Sequence, residues 1–140
     1  NDLHTKNNVL SEGNITTHGH VRQIDQYDTQ KSVSTTQKIW RAESGSNTDQ
    51  VISVNTFQVS ECNSVRYEIL VINAEGTTTL NADYLHDVNE IVGTQYGRVS
   101  IGTDPVNDVD CTLIGGELMI SLNVKHHSKI MITGTSMLLI

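Results

Sequence analysis

From Gln37 onward, apolar and polar residues alternate in short runs separated by turn-forming residues. The stretch "VRYEILVI" (65–72) is the clearest case. Val65, Tyr67, Ile69 and Val71 share one face against Arg66 and Glu68, the signature of a half-buried strand. "QKIWRA" and "QVISVNTFQVS" precede it, separated by the polar loop "ESGSNTD", and Ala74-Glu75-Gly76 ends it. "TTTLNADYLHD" and "EIVGTQYGRVSIG" predict a hairpin that turns at Asp87-Val88-Asn89, where Asp and Asn suit a turn. "NDVDCTLI" sets Val109, Cys111 and Leu113 on one face, Gly115-Gly116 supplies a tight turn, and "ELMISLNV" returns with Leu118, Ile120, Leu122 and Val124. "KHHSK" is a polar bend before the last run, "IMITGTSMLLI". No long segment has helical spacing. About seven to nine short strands predict an all-β chain folded as an antiparallel β-sandwich. Pro105 falls in the loop-like "GTDPVND", where it costs no ladder hydrogen bond, and Gly93 and Gly97 mark bends or close backbone approaches.

The N-terminal part reads differently. Residues 1–35 hold eight apolar residues with neither helical nor alternating period, whereas half of residues 117–140 are apolar. So polar a stretch buries little by itself and is expected to need a partner to order it. This reading gives an extended polar arm over 1–44, acting as an assembly contact, and a β-sandwich domain over 45–140. The chain opens on Asn, which suggests processing from, or excision out of, a longer protein.

Composition narrows the partners. Apolar residues make up 36% of the chain, and aromatics are few, so the core is expected to be thin and the strands to keep one wet face. Nine basic against sixteen acidic residues give a net charge of −7 without a basic cluster, which argues against nucleic acid and anionic membrane as partners. No run of about 18 apolar residues and no basic leader with an apolar stretch is present, so neither a membrane span nor a signal peptide is expected. Cys62 and Cys111 read as two small buried hydrophobes in a reducing compartment, with a disulfide as the alternative. Asn14-Ile15-Thr16 fits a glycosylation acceptor, which matters only for a secreted eukaryotic protein.

Candidate chemistry is sparse. His18-Gly19-His20 would present two imidazoles on one face of an extended chain, but only His4, Asp25 and Asp28 are near enough in sequence to add ligands. His126-His127 sits in a bend with rings expected on opposite sides. The adjacent His86 and Asp87 would likewise point apart on a strand, so they cannot form a dyad with each other. Ser44 in "ESGS" lacks a strand–elbow–helix setting, and "GTQYGRVSIG" lacks the Lys and helix of a phosphate loop. Asp108 and Asp110 share a face, but nothing marks either as a raised acid. No catalytic, cofactor or metal residue is assigned, no cofactor is expected, and the chain is read as a non-enzyme.

Three segments carry a resemblance. "SNTDQVISVNTFQVSECNSVRYEILVI" contains Thr48, Asp49, Gln50 and Val51, then Val65, Arg66, Tyr67, Ile69 and Val71. "YLHDVNEIVGTQYGRVSIG" contains Leu85, His86, Asp87, Thr94, Tyr96 and Gly97, and "CTLIGGELMISLNV" contains Gly115, Gly116, Leu118 and Leu122. In order and spacing these resemble a β-domain found in structural proteins of tailed bacteriophages, over roughly residues 45–140. Val88-Asn89 replaces that family's usual Gly-Thr after His-Asp, and Gln95 replaces its Glu before Tyr-Gly. The resemblance implies a virion structural protein of a fibre, neck, tail, baseplate or head-decoration kind, assembled in the bacterial cytoplasm. Its implied partners are other virion proteins and copies of itself, with trimers expected if it is fibrous. The alternative is a module that binds a host-surface glycan, for which Tyr27, Trp40, Tyr84 and Tyr96 are the aromatic candidates.

Overall fold

The computed structural model describes residues 21–25, 33–87 and 89–139 of the chain. The strands are β1 (Val21–Asp25), β2 (Val33–Glu43), β3 (Gln50–Gln58), β4 (Ser64–Ile72), β5 (Gly76–His86), β6 (Ile91–Gly102), β7 (Val106–Ile114), β8 (Glu117–Val124) and β9 (Lys129–Leu139). A single 3-10 turn, Val59–Glu61, links β3 to β4. All pairings are antiparallel, in a six-stranded sheet ordered β1-β2-β9-β4-β5-β6 and a three-stranded sheet ordered β3-β8-β7. The chain is therefore an all-β sandwich, as its alternating pattern predicts.

The small sheet lies over the centre of the large one. From the large sheet, Val65, Tyr67, Ile69 and Val71 of β4, Leu80, Ala82 and Tyr84 of β5, and Ile130 and Ile132 of β9 point inward. They meet Leu118, Ile120, Leu122 and Val124, which the central strand β8 buries completely, with Val109 and Cys111 of β7 and Phe57 of β3 alongside. Two edge-to-face aromatic pairs complete the layer. Tyr67 stands against Tyr84 at 6.0 Å and Trp40 against Phe57 at 5.6 Å between ring centroids. Tyr84 fits only because β6 carries Gly93 opposite it, where an added Cβ would come within 2.2 Å of the tyrosine ring. Gly115-Gly116 forms the β7–β8 turn with both φ angles positive, which sets the register that sends the β8 side chains inward.

Residues 33–43 correct the expected division at residue 44. They are strand β2, paired along all eleven residues with β9 and well inside the large sheet. The run "QKIWRA" marked its second half as a strand, but its polar first residues hid its extent and its place in the sheet, because the ladder to β9 supplies the backbone hydrogen bonds and Trp40 alone supplies a large apolar inward side chain. Ser44 then fastens this strand's end to the β8–β9 turn. Its Oγ donates to the Lys125 carbonyl at 2.9 Å and accepts from the Ser128 amide at 2.8 Å. The backbone of β1 pairs with β2, so part of the presumed arm is also in the sheet. Residues 1–20, with the His18/His20 and Asn14 readings, and Tyr27 and Asp28 lie outside the described residues.

Asp104 holds the crossing from the large sheet to the small one. It accepts from the Val106 amide (2.8 Å), the Thr78 hydroxyl (2.8 Å) and the Arg98 guanidinium (2.7 Å). Partial burial by itself would raise this carboxyl, but the three donors outweigh it and hold it below its ordinary value. Its folded pKa is thus depressed, so its stabilisation is complete above the ordinary carboxylate range and is lost as pH falls through the lowered value. The stability gap between the native chain and Asp104→Asn, followed by urea unfolding, should therefore narrow from about pH 6 to about pH 3. In the core, Ile120→Ala should cost about 2–5 kcal/mol in the same assay without changing the denaturant slope.

Candidate functional site

The outward face of the large sheet is the unusual surface of this molecule. Its registers align side chains in rows across β2, β9, β4, β5 and β6. One row runs Thr35, Met137, Ser64, Leu85, Val92; the next runs Gln37, Thr135, Arg66, Asp83, Thr94. The third contains Ile39, Glu68, Asn81 and Tyr96, the fourth Met131, Leu70 and Val99, and the fifth Ile72 and Ile101. Thirteen large apolar side chains among the described residues are exposed, and ten of them lie on this face, from Tyr96 at 41% to Ile101 at 78%. Such a concentration is far from the scattered single hydrophobes of an ordinary wet surface.

Two adjoining open concavities indent one end of the face. One, of about 650 Å³, lies between Arg66, Asp83, Leu85, Val92, Thr94 and Met137. Another, of about 610 Å³, adjoins it, with Ser64, Leu85 and Met137 common to both, and extends towards Leu139. Beside the first, Arg66 makes a two-pronged contact with Asp83 at 2.9 and 3.2 Å, and the Tyr96 hydroxyl donates to Asp83 at 3.2 Å. The hydrogen bond and charge of Asp83 keep the Arg66 guanidinium even more firmly protonated. An exposed pair of this kind adds little stability, so its value lies in presenting fixed polar groups.

The residues singled out for chemistry do not converge. Asp87 caps the β5–β6 turn, its Oδ1 accepting the amides of Asn89 (2.8 Å) and Glu90 (2.9 Å), so the His-Asp pair is a hairpin corner. His86 instead turns inward, with Nε2 3.5 Å from the Cys62 sulfur and Nδ1 buried without a hydrogen-bond partner among the described residues. Sequence reasoning missed this contact, because the two residues are 24 positions apart and only the sheet brings them together. Its surroundings favour a neutral thiol. Burial first, then Glu61, pushes the Cys62 thiol up to about 11, against a smaller opposing pull from Lys38, and among the described residues no carboxylate bonds the imidazole. Cys111, also buried and unbridged, is pushed up to about 12, mainly by burial.

The remaining candidates are structural or dispersed. His126 and His127 stack edge to face at 5.5 Å in the β8–β9 turn, and His127 reaches Asn47 at 3.2 Å. Asp108 and Asp110 are exposed on β7, where Asp110 accepts the Cys111 amide. Among the described residues no group of three or more His, Cys, Asp or Glu is placed to hold a metal ion. Of the described aromatic candidates for a sugar site, Trp40 is half-buried against Phe57 and Tyr84 is buried, which leaves Tyr96 on the exposed face.

No family model and no curated protein matches this chain. In fold it is similar to part of a tailspike protein from Acinetobacter baumannii bacteriophage Fri1, a capsular polysaccharide depolymerase. The match has a TM-score of 0.52 at 10% identity and covers 83% of this chain but only 19% of the tailspike. The likeness is one of fold: a β-domain of this shape occurs within a phage tail protein.

Both thiols should stay unreactive toward a disulfide reagent at about pH 8 in the native chain and react fully once guanidinium unfolds it. His86→Ala should not alter the native rate. A Cys62 that reacts rapidly in the folded chain would restore the nucleophile reading.

Proposed function

We propose that this chain is a non-enzymatic structural component of a bacteriophage virion, tail-associated, which works through protein–protein assembly with other virion proteins and with copies of itself. The observation that carries this reading is the outward face of the large sheet, where the chain's exposed large hydrophobes are gathered. A catalytic protein concentrates its unusual chemistry in a cleft with perturbed, accessible titrating groups. Here the strongly perturbed thiols and the Tyr67 phenol are buried and raised, and so held in their neutral forms at neutral pH. The accessible surface instead offers apolar area bordered by fixed polar groups, the composition of an interface. The fold likeness to part of a tailspike supports a place in the virion.

A second reading, binding of a host-surface glycan, is favoured by one arrangement. The exposed Tyr96 donates to Asp83, which with Arg66 lines a concavity, and stacking on an apolar sugar face next to planar polar groups is how such sites work. In that case Tyr96→Ala would abolish binding of the chain to a panel of bacterial capsular oligosaccharides while leaving its thermal unfolding in place.

The assembly reading is tested on particles. Peptides of this chain should band with virions of its source phage in a density gradient, at a constant ratio to the other structural proteins. A chain found only in the free-protein fraction would remove the proposal.

A further inference from the structure

The apolar face has a charge pattern of its own. The outward positions of β2, β9, β4, β5 and β6 carry three cations, Arg41, Arg66 and Lys129, and three carboxylates, Glu43, Glu68 and Asp83. Over these five strands the face is therefore neutral, on a chain whose net charge is −7. Two copies repel each other through the remainder of their surface and least through this face.

Area points the same way. Side chains of this size expose roughly 150–200 Å² each when free, so ten of them at these exposures leave on the order of 1,000 Å², comparable to the ~800 Å² that one partner contributes to a standard interface. The other three exposed large hydrophobes, Val51, Val59 and Ile114, are dispersed over β3, the 3-10 turn and the end of β7. Among the described residues there is thus one apolar surface and no second to receive it, so within them the match for this face is the same face of a second copy.

The register singles out one way of doing so. A two-fold axis running along the strands, between β4 and β5, sets Arg66 of each copy over Asp83 of the other. It also sets Met137 over Val92, Met131 over Val99, and Leu85 over Ser64 at the floor of the joined concavities. The perpendicular axis, across the strands through the middle row, would instead set Glu68 upon Glu68. Pairing edge to edge along β6 is disfavoured by the bulge at Gly97-Arg98, which breaks the ladder midway along that strand.

We propose that a second copy of this chain occupies this face, forming a two-fold dimer whose axis runs along the strands between β4 and β5. The inference rests on the assembly reading above and names the partner of that surface.

The test is the solution mass of the full chain as a function of concentration, by light scattering and native mass spectrometry. The native chain should be a dimer at about 10 µM, a concentration at which a micromolar interface is largely filled. Arg66→Glu should weaken the dimer at least about tenfold, a change of about 1.4 kcal/mol, and Arg66→Glu combined with Asp83→Arg should recover most of it. Val92→Lys should give a monomer, while Val51→Lys on the other sheet should change nothing. Thermal unfolding of each variant close to that of the native chain confirms that the fold is kept. A native monomer at about 100 µM, a trimer, or a dimer indifferent to the charge reversal and to Val92→Lys overturns the inference. A monomer that still bands with virions would leave the assembly reading standing, and a dimer of this design that never joins a particle would do the reverse.

Discussion

The structure depends on one strand having a single face of its alternation completely covered. Strand β8 sends Leu118, Ile120, Leu122 and Val124 into the only thick part of the core, and β4, β5 and β9 are held flat against it. With so few aromatic and large aliphatic residues, the chain can build one such contact layer and no second. The three strands cover the centre of one face of the large sheet, and among the described residues no strand covers its opposite face. The one phenol at the centre of the layer is also paired. The Tyr67 hydroxyl bonds Thr56 Oγ1, and Thr56 in turn donates to the Leu118 carbonyl, so the buried phenol ties β4 to the small sheet.

That economy accounts for what could be read from the sequence. Alternation in residues 65–72 and 117–124 identified strands and their inward residues correctly, because both strands lie where one face is fully covered. Gly115-Gly116 and Asp87 gave their turns away through residue chemistry alone. Only the "QKIWRA" half of strand β2 was legible; its first residues and its place in the sheet were not, because they come from backbone pairing with β9, almost a hundred residues later, and pairing leaves no mark on side-chain polarity. The candidate face was harder still. In β6, Val92, Tyr96, Val99 and Ile101 alternate like a core strand, interrupted once by the Gly97 bulge, and yet they face out. Periodicity reports that two faces differ; it does not report which one another sheet covers.

The same surface separates the two functional readings. An assembly face needs breadth and weak charge, whereas a sugar site needs one ring and a few fixed donors. Both are present on the large sheet, with Tyr96, Asp83 and Arg66 set between two apolar rows. The buried Cys62–His86 contact, by contrast, belongs to the hairpin's anchorage, since Asn63 also accepts the His86 amide.

Strand β9 sits between β2 and β4, although it follows every other strand in the chain. While the polypeptide is being made, β2 on one side and the β4–β5–β6 hairpins on the other therefore have no shared neighbour to join them. Closure of the sheet waits for β9 to leave the ribosome, and it then requires Val33 to find Leu139 across a very long loop. Until that moment the nascent chain displays two open edges at once, so its passage through synthesis, more than its finished state, is where this protein is most exposed to mispairing and to chaperones.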